Sequence, residues 1–77
     1  MKLNPEMILN EAYVGKVIKS FEFGIEDNPV KEWSIGKKIL KVRFGFNDSR
    51  EDSGMIVYVE GVGDPVFVYS NEKIEIE

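Results

Sequence analysis

The pattern of apolar and polar positions changes once along the chain. Near the start, Asn4-Pro5-Glu6 reads as a helix-capping residue, a proline at the first helical position and an acid at the positive end of the helix dipole. This predicts a helix over residues 5–12, with Gly15 beyond its end. About two turns is too short to be stable alone, so the helix must dock, and Met7, Ile8, Leu9 and Ala12 are the docking candidates.

From residue 14 onward the period becomes two, the signature of strands. Residues 14–24 read as a strand with one irregularity, because Val14 and Ile18 fall opposite Phe21 and Phe23. A β-bulge near Lys19 and Ser20 would return Ile18, Phe21 and Phe23 to one side. Residues 24–29 read as a loop and 30–35 as a short strand, and Gly36-Lys37 makes a tight turn. The strand predicted over 38–46 sets Leu40, Val42, Phe44 and Phe46 on one face and Ile39, Lys41, Arg43 and Gly45 on the other. A polar loop follows at 47–54. Strands at 55–60 and 66–70 flank a hairpin loop at 61–65, and Asn71-Glu72 turns into a last alternating strand at 73–77. The expected fold is mainly β: a short N-terminal helix, then a five- or six-stranded antiparallel meander forming a small barrel or curled sheet. It occupies residues 1–77 as one small globular domain.

Composition agrees with the pattern. Isoleucine and valine number 17 against 4 leucines and alanines, a ratio that favours the pleated sheet. At 77 residues the chain has little core to spare, so nearly every apolar residue should be needed for folding. No apolar run approaches the roughly 20 residues that span a bilayer. The first residues also lack the apolar stretch and cleavage site of a signal peptide. The expected location is cytoplasmic, with no membrane partner.

The chain has no cysteine and no histidine, which removes disulfides, thiol nucleophiles, histidine bases and the usual zinc ligands together. Ser20, Ser34, Ser49, Ser53 and Ser70 lack an activating histidine, and no lysine is set in an apolar pocket pattern. No catalytic residue is assigned, and the chain is expected not to be an enzyme. Asp48, Glu51 and Asp52 share one loop, but counting from Asp48 puts Arg50 third, Ser53 sixth and Val59 twelfth, against the calcium-loop pattern. A solvated hairpin tip is the expectation there, with no metal and no cofactor.

Two surfaces remain. The net charge is −4, yet residues 31–50 hold Lys31, Lys37, Lys38, Lys41, Arg43 and Arg50 against Glu32 and Asp48. Trp33 lies near this run. Small barrels bind single strands with a basic groove and stacking aromatics, so Trp33, Lys37, Lys38, Lys41 and Arg43 form a candidate RNA-binding set. The plainer account makes Lys41 and Arg43 outward residues paired across strands with acids such as Glu75.

The second surface is the late hairpin. With Val59 opposite Val66 and Val57 opposite Val68, the other face carries Ile56, Tyr58, Phe67 and Tyr69. Both faces then need cover, and a two-turn helix is too small to cover four large side chains. Tyr58, Phe67 and Tyr69, with Glu60, Asp64 and Glu72 as an acidic rim, are the candidate protein-binding residues. The expected function is a small acidic protein-binding module, such as an inhibitor, an immunity-type partner or a phage-encoded modulator of a basic protein target. The alternatives are the single-stranded nucleic-acid binder and a structural homo-oligomer subunit.

Overall fold

Helix α1 starts at the proline and runs Pro5–Tyr13. It is followed by β1 (Ile18–Phe21), α2 (Pro29–Ser34), β2 (Ile39–Phe46), β3 (Ser53–Val59), β4 (Val66–Tyr69) and β5 (Ile74–Ile76). The computed structural model describes residues 5–23, 28–47 and 50–77. The capping role read for Asn4, most of the 24–29 loop, and Asp48 lie outside the described residues. The fold is mainly β, with every strand pair antiparallel.

Strands β2, β3 and β4 form one sheet in that order, and β1 pairs with β5 in a second. A short seam joins them. Val17 bridges Lys38, Ile18 N–H donates to Lys37 C=O, and Ile39 N–H donates to Lys16 C=O. The strand sequence is therefore continuous as β5–β1–β2–β3–β4, a small curled sheet whose two ends are β5 and β4.

Beyond the seam, α1 takes over the free edge of β2. Asn10 Nδ2 donates to Val42 C=O at 2.8 Å and Asn10 Oδ1 accepts Val42 N–H at 3.0 Å. One side-chain amide thus replaces a neighbouring strand. Glu6 Oε2 accepts Phe44 N–H at 2.8 Å, one step further along. Covering an edge in this way removes a row of open backbone groups that would otherwise pair with another chain. It also decides which side of α1 docks. Glu6, Leu9, Asn10 and Tyr13, spaced as one helical stripe, are half-buried, while Met7, Ile8 and Ala12 are exposed. Of the predicted docking residues only Leu9 packs against the core. Two polar side chains, chosen for backbone bonding, set the helix's rotation.

The largest departure is α2. Residues 30–35 were expected as a strand and instead form a helix. Asn28 Oδ1 accepts Val30 N–H at 3.2 Å, and Pro29 follows at the first turn. This is the same cap-and-proline signal that predicted α1, and it outweighs the β-branched residues around Trp33. Gly36, at φ +83°, then supplies the left-handed turn into β2.

Both β1 and β2 are bulged. The β1–β5 register shifts between Ile18 and Ser20, where the bulge was expected, leaving Ile18 and Phe21 buried and Phe23 partly exposed. An unexpected second shift lies between Ile39 and Lys41. It turns Ile39 into the core and puts Leu40 outside, so Leu40 does not share the Val42 face as alternation implied. In the late hairpin Val57 faces Val66 and Met55 faces Val68, two residues from the expected register. An even shift keeps every side chain on its face. The core joins both sheets: Ile18, Phe21, Ile39, Val42, Val57, Val59, Val66 and Val68.

Replacing Asn10 with alanine strands the N–H and C=O of Val42 at a covered edge. Unsatisfied groups of this kind cost about 1–3 kcal/mol each, so Asn10→Ala should destabilise the fold on that scale in urea melts. A loss below about 0.5 kcal/mol, the range of neutral surface changes, would show that α1 does not hold this edge.

Candidate functional site

Between the two ends of the curled sheet lies a buried ion pair. Lys31, on α2, is 1 % exposed, and its Nζ donates to Glu72 Oε1 at 2.9 Å, Glu72 Oε2 at 2.8 Å and Phe23 C=O at 2.6 Å. All three ammonium protons are used. Glu72, in the turn between β4 and β5, also accepts Phe23 N–H at 3.0 Å and Tyr69 N–H at 3.2 Å. The rings of Phe21 and Tyr69 stand 5.3 and 5.7 Å from the ammonium, within cation–π range. Glu72 was expected on an exposed acidic rim. It is instead buried, because its carboxylate is the acceptor that lets Lys31, the end of β1 and the end of β4 meet.

Above this pair opens a cleft of about 580 Å³, inside the range of about 300–1,000 Å³ typical of ligand sites. Leu9 and Tyr13 of α1 form one wall. Phe44 and Phe46 of β2 and Met55 of β3 face them, and Tyr69 and Glu72 complete the lining. Phe44 is 49 % and Phe46 62 % exposed. Both follow Val42 on the inward face of β2, but the strand runs past the core before they are covered.

The other face of the same sheet has a different character. Cross-strand register sets Lys41 opposite Tyr58, Arg43 opposite Ile56, and Ile56 opposite Phe67. The Arg43 guanidinium reaches Tyr58 Oη at 3.5 Å. Lys41 and Arg43 are exposed, and Ile56, Tyr58 and Phe67 are half-buried. Two candidate sets read separately from the sequence therefore meet on one surface. The pairing expected between these bases and Glu75 is not made, since Glu75 lies opposite Ser20 on β1.

The remaining candidates are dispersed. Glu60 and Asp64 are exposed at the β3–β4 turn, the opposite end of β3 from the cleft. Trp33 is 58 % exposed on α2. Lys37 and Lys38 are exposed beside the β1–β2 seam. Asn47 Oδ1 accepts the N–H groups of Glu51 and Asp52, which ties the end of β2 to the residues that lead into β3. Arg50 occupies a left-handed conformation there.

No protein-family model matches the chain, and neither a curated protein nor a solved structure does. The functional reading therefore rests on the geometry. The sequence reading missed the cleft and the ion pair. The cleft's signal was Phe44-Gly45-Phe46, two large residues near the end of a strand longer than its cover. The ion pair joins residues 41 positions apart, and no local pattern marks it.

Removing one member of a buried pair leaves an uncompensated charge and costs about 3–5 kcal/mol. Lys31→Met should therefore destabilise strongly. The double variant Lys31→Met with Glu72→Leu should recover much of the loss, giving a coupling of about 1 kcal/mol or more in a double-mutant cycle of urea melts. Additive single effects would mean that the two groups do not act as a pair.

Proposed function

We propose that the protein binds another protein through the cleft between α1 and the β2–β3 hairpin, and does so without catalysis. The observation that carries this reading is the exposure of Phe44 and Phe46 on the wall of a mostly apolar cleft. Large aromatics left accessible next to a rigid base are the form of surface that a partner's apolar side chains fill. The neighbouring segments carry more acid than base: Glu6 of α1 bonds the β2 edge at Phe44, and the loop following Phe46 holds Glu51 and Asp52 against Arg50. A partner with a basic surface is favoured by that charge. An inhibitor or modulator of a basic protein is the role that small size, net negative charge and an apolar cleft suit together.

A second reading has its own support. Lys41 and Arg43 share a sheet face with Tyr58, a combination of cation and aromatic suited to single-stranded RNA. The net charge of −4 weighs against it.

The two readings part on opposite faces of β2. Phe46→Ser should leave the melting temperature nearly unchanged and weaken capture of the protein partner by about tenfold or more, the scale of an interface hot spot. Lys41→Glu with Arg43→Glu should leave that capture intact. If the charge reversal instead abolishes salt-sensitive binding of an RNA oligonucleotide, and Phe46→Ser changes nothing, the second reading stands.

A further inference from the structure

We propose that the open edge of β5 pairs with the β5 edge of a second copy of this chain, antiparallel and centred on Glu75, joining two curled sheets into one. The proposal is independent of the cleft, since no residue of β5 lines it. The open edge follows from the ladder. Val17 and Glu77 exchange N–H to C=O bonds at 3.0 and 2.9 Å, and Glu22 N–H donates to Lys73 C=O at 3.0 Å. Residues 73 and 77 therefore face β1. Alternation in an antiparallel ladder turns the N–H and C=O groups of Ile74 and Ile76 the other way, and no group among the described residues bonds them. The other edges differ. Asn10 and Glu6 hold β2 at Val42 and Phe44. On β4, Glu72 takes the N–H and the C=O of Tyr69, and Pro65 has no N–H, which leaves Phe67 alone. Proline and a covering helix are usual protections of an edge, and β5 has neither.

A second copy meets this edge in hydrogen-bond phase and in face. With Glu75 opposite Glu75, Ile74 of each chain lies opposite Ile76 of the other, so every open N–H finds an open C=O. Ile74 and Ile76 are half-buried and pack on the core, while Lys73, Glu75 and Glu77 are exposed on the other face. The pairing sets isoleucine beside isoleucine and extends the apolar face across the junction. On the outer face it sets Lys73 opposite Glu77 on both sides of the centre. A self-complementary contact of this kind closes on itself as a two-fold dimer. One pair opposes it, because like charges directly opposite are unfavourable and Glu75 meets Glu75. The exposed Lys19, in the β1 bulge next to the Ser20 that faces Glu75, offsets part of that charge. A register two residues away would set Lys73 opposite Glu75 instead. It would also set Ile76 opposite Glu72, whose N–H is spent on Tyr69 C=O. Three residues of strand and one opposed pair make the dimer weak and dependent on concentration.

Sedimentation and amide hydrogen exchange of the full chain test this together. The wild type should exceed its 8.8 kDa monomer mass as concentration rises to the millimolar range. Exchange at Ile74 and Ile76 should slow in step, while exchange at Phe67 stays constant. Lys73→Glu and Glu77→Lys, both at exposed positions, each set like charges opposite one another. Each should weaken association about tenfold and leave melting unchanged. An equimolar mixture of the two should associate again, since both outer pairs of the mixed dimer join an acid to a base. Glu75→Gln removes the repulsion at the centre and should strengthen association about threefold. A wild type that stays monomeric at millimolar concentration, or exchange at Ile74 and Ile76 that ignores concentration, would overturn the proposal. So would a mixture that stays monomeric, or a Glu75→Gln variant that associates less tightly. Partner capture through the cleft is untouched by any of these results.

Discussion

A lysine ammonium buried against a carboxylate is the constraint around which the small sheet is arranged. The curled sheet ends in β4 on one side and β5 on the other, and α2 is held to it by Val30 packing on the core and by Glu72. It sits in the turn between the two end strands and gathers Tyr69 N–H, Phe23 N–H and the Lys31 ammonium on one carboxylate. Buried charges are costly unless every donor and acceptor is used. Here the three protons of Lys31 and both oxygens of Glu72 have partners. The pair's bonds are directional, and they tie α2, the segment after β1 and the end of β4 to one carboxylate.

The same logic of borrowed hydrogen bonds recurs along β2. Its first residues pair with the β1 segment, and the bulge at Leu40 marks where that pairing stops. From Val42 onward Asn10 and Glu6 supply what a neighbouring strand would have supplied. This lets β2 continue through Phe46, past the end of the eight-residue core. The cleft is the outcome. One wall is the part of β2 that outruns the core, and the other is the helix that holds its edge. Charge follows the same division, because alternation along β2 sends Lys41 and Arg43 to the face away from Phe44 and Phe46.

Much of this was legible in the sequence, and the failures have physical causes. Alternation over 38–46 and over the late hairpin found the strands, and the broken alternation at Lys19 located a bulge. The start of α1 was readable because proline fixes its first turn. Asn28-Pro29 carried an equivalent message, but Val30, Trp33 and Ile35 resemble a strand over so short a span, and the cap won. Leu40 shows the limit of period counting. A bulge sets Ile39 into the core, and its local sign in the sequence is the adjacent apolar pair Ile39-Leu40 in an otherwise alternating run. Side-chain roles that depend on distant partners were the least accessible. Glu72 looks like any acid at a turn until Lys31, far away in sequence, is placed against it. Asn10 looks like a helix-surface residue until β2 presents an unpaired edge.

The aromatic residues then sort by whether the fold needs them. On the outer sheet face, Ile56 leans over Gly45, where an added Cβ would strike its side chain, and Phe67 lies close above Gly54. Phe67 and Tyr69 meet edge to face at 5.1 Å. These side chains fill gaps that paired glycines leave between β2, β3 and β4, so their half-burial has a structural cause. Tyr69 is further committed to the Lys31 ammonium. Phe44, Phe46 and Trp33 have no such account, since none belongs to the core or to the side chains packed against it. Leaving a large apolar group in water forgoes about 1.5–3 kcal/mol of burial. Among the described residues Phe44, Phe46 and Trp33 are the most exposed aromatics, in a set of exposed apolar side chains that also includes Met7, Ile8 and Leu40. Under the proposed protein-binding reading, Phe44 and Phe46 join Tyr58, Phe67 and Tyr69 as candidate contact residues, and they are the ones the fold itself does not use.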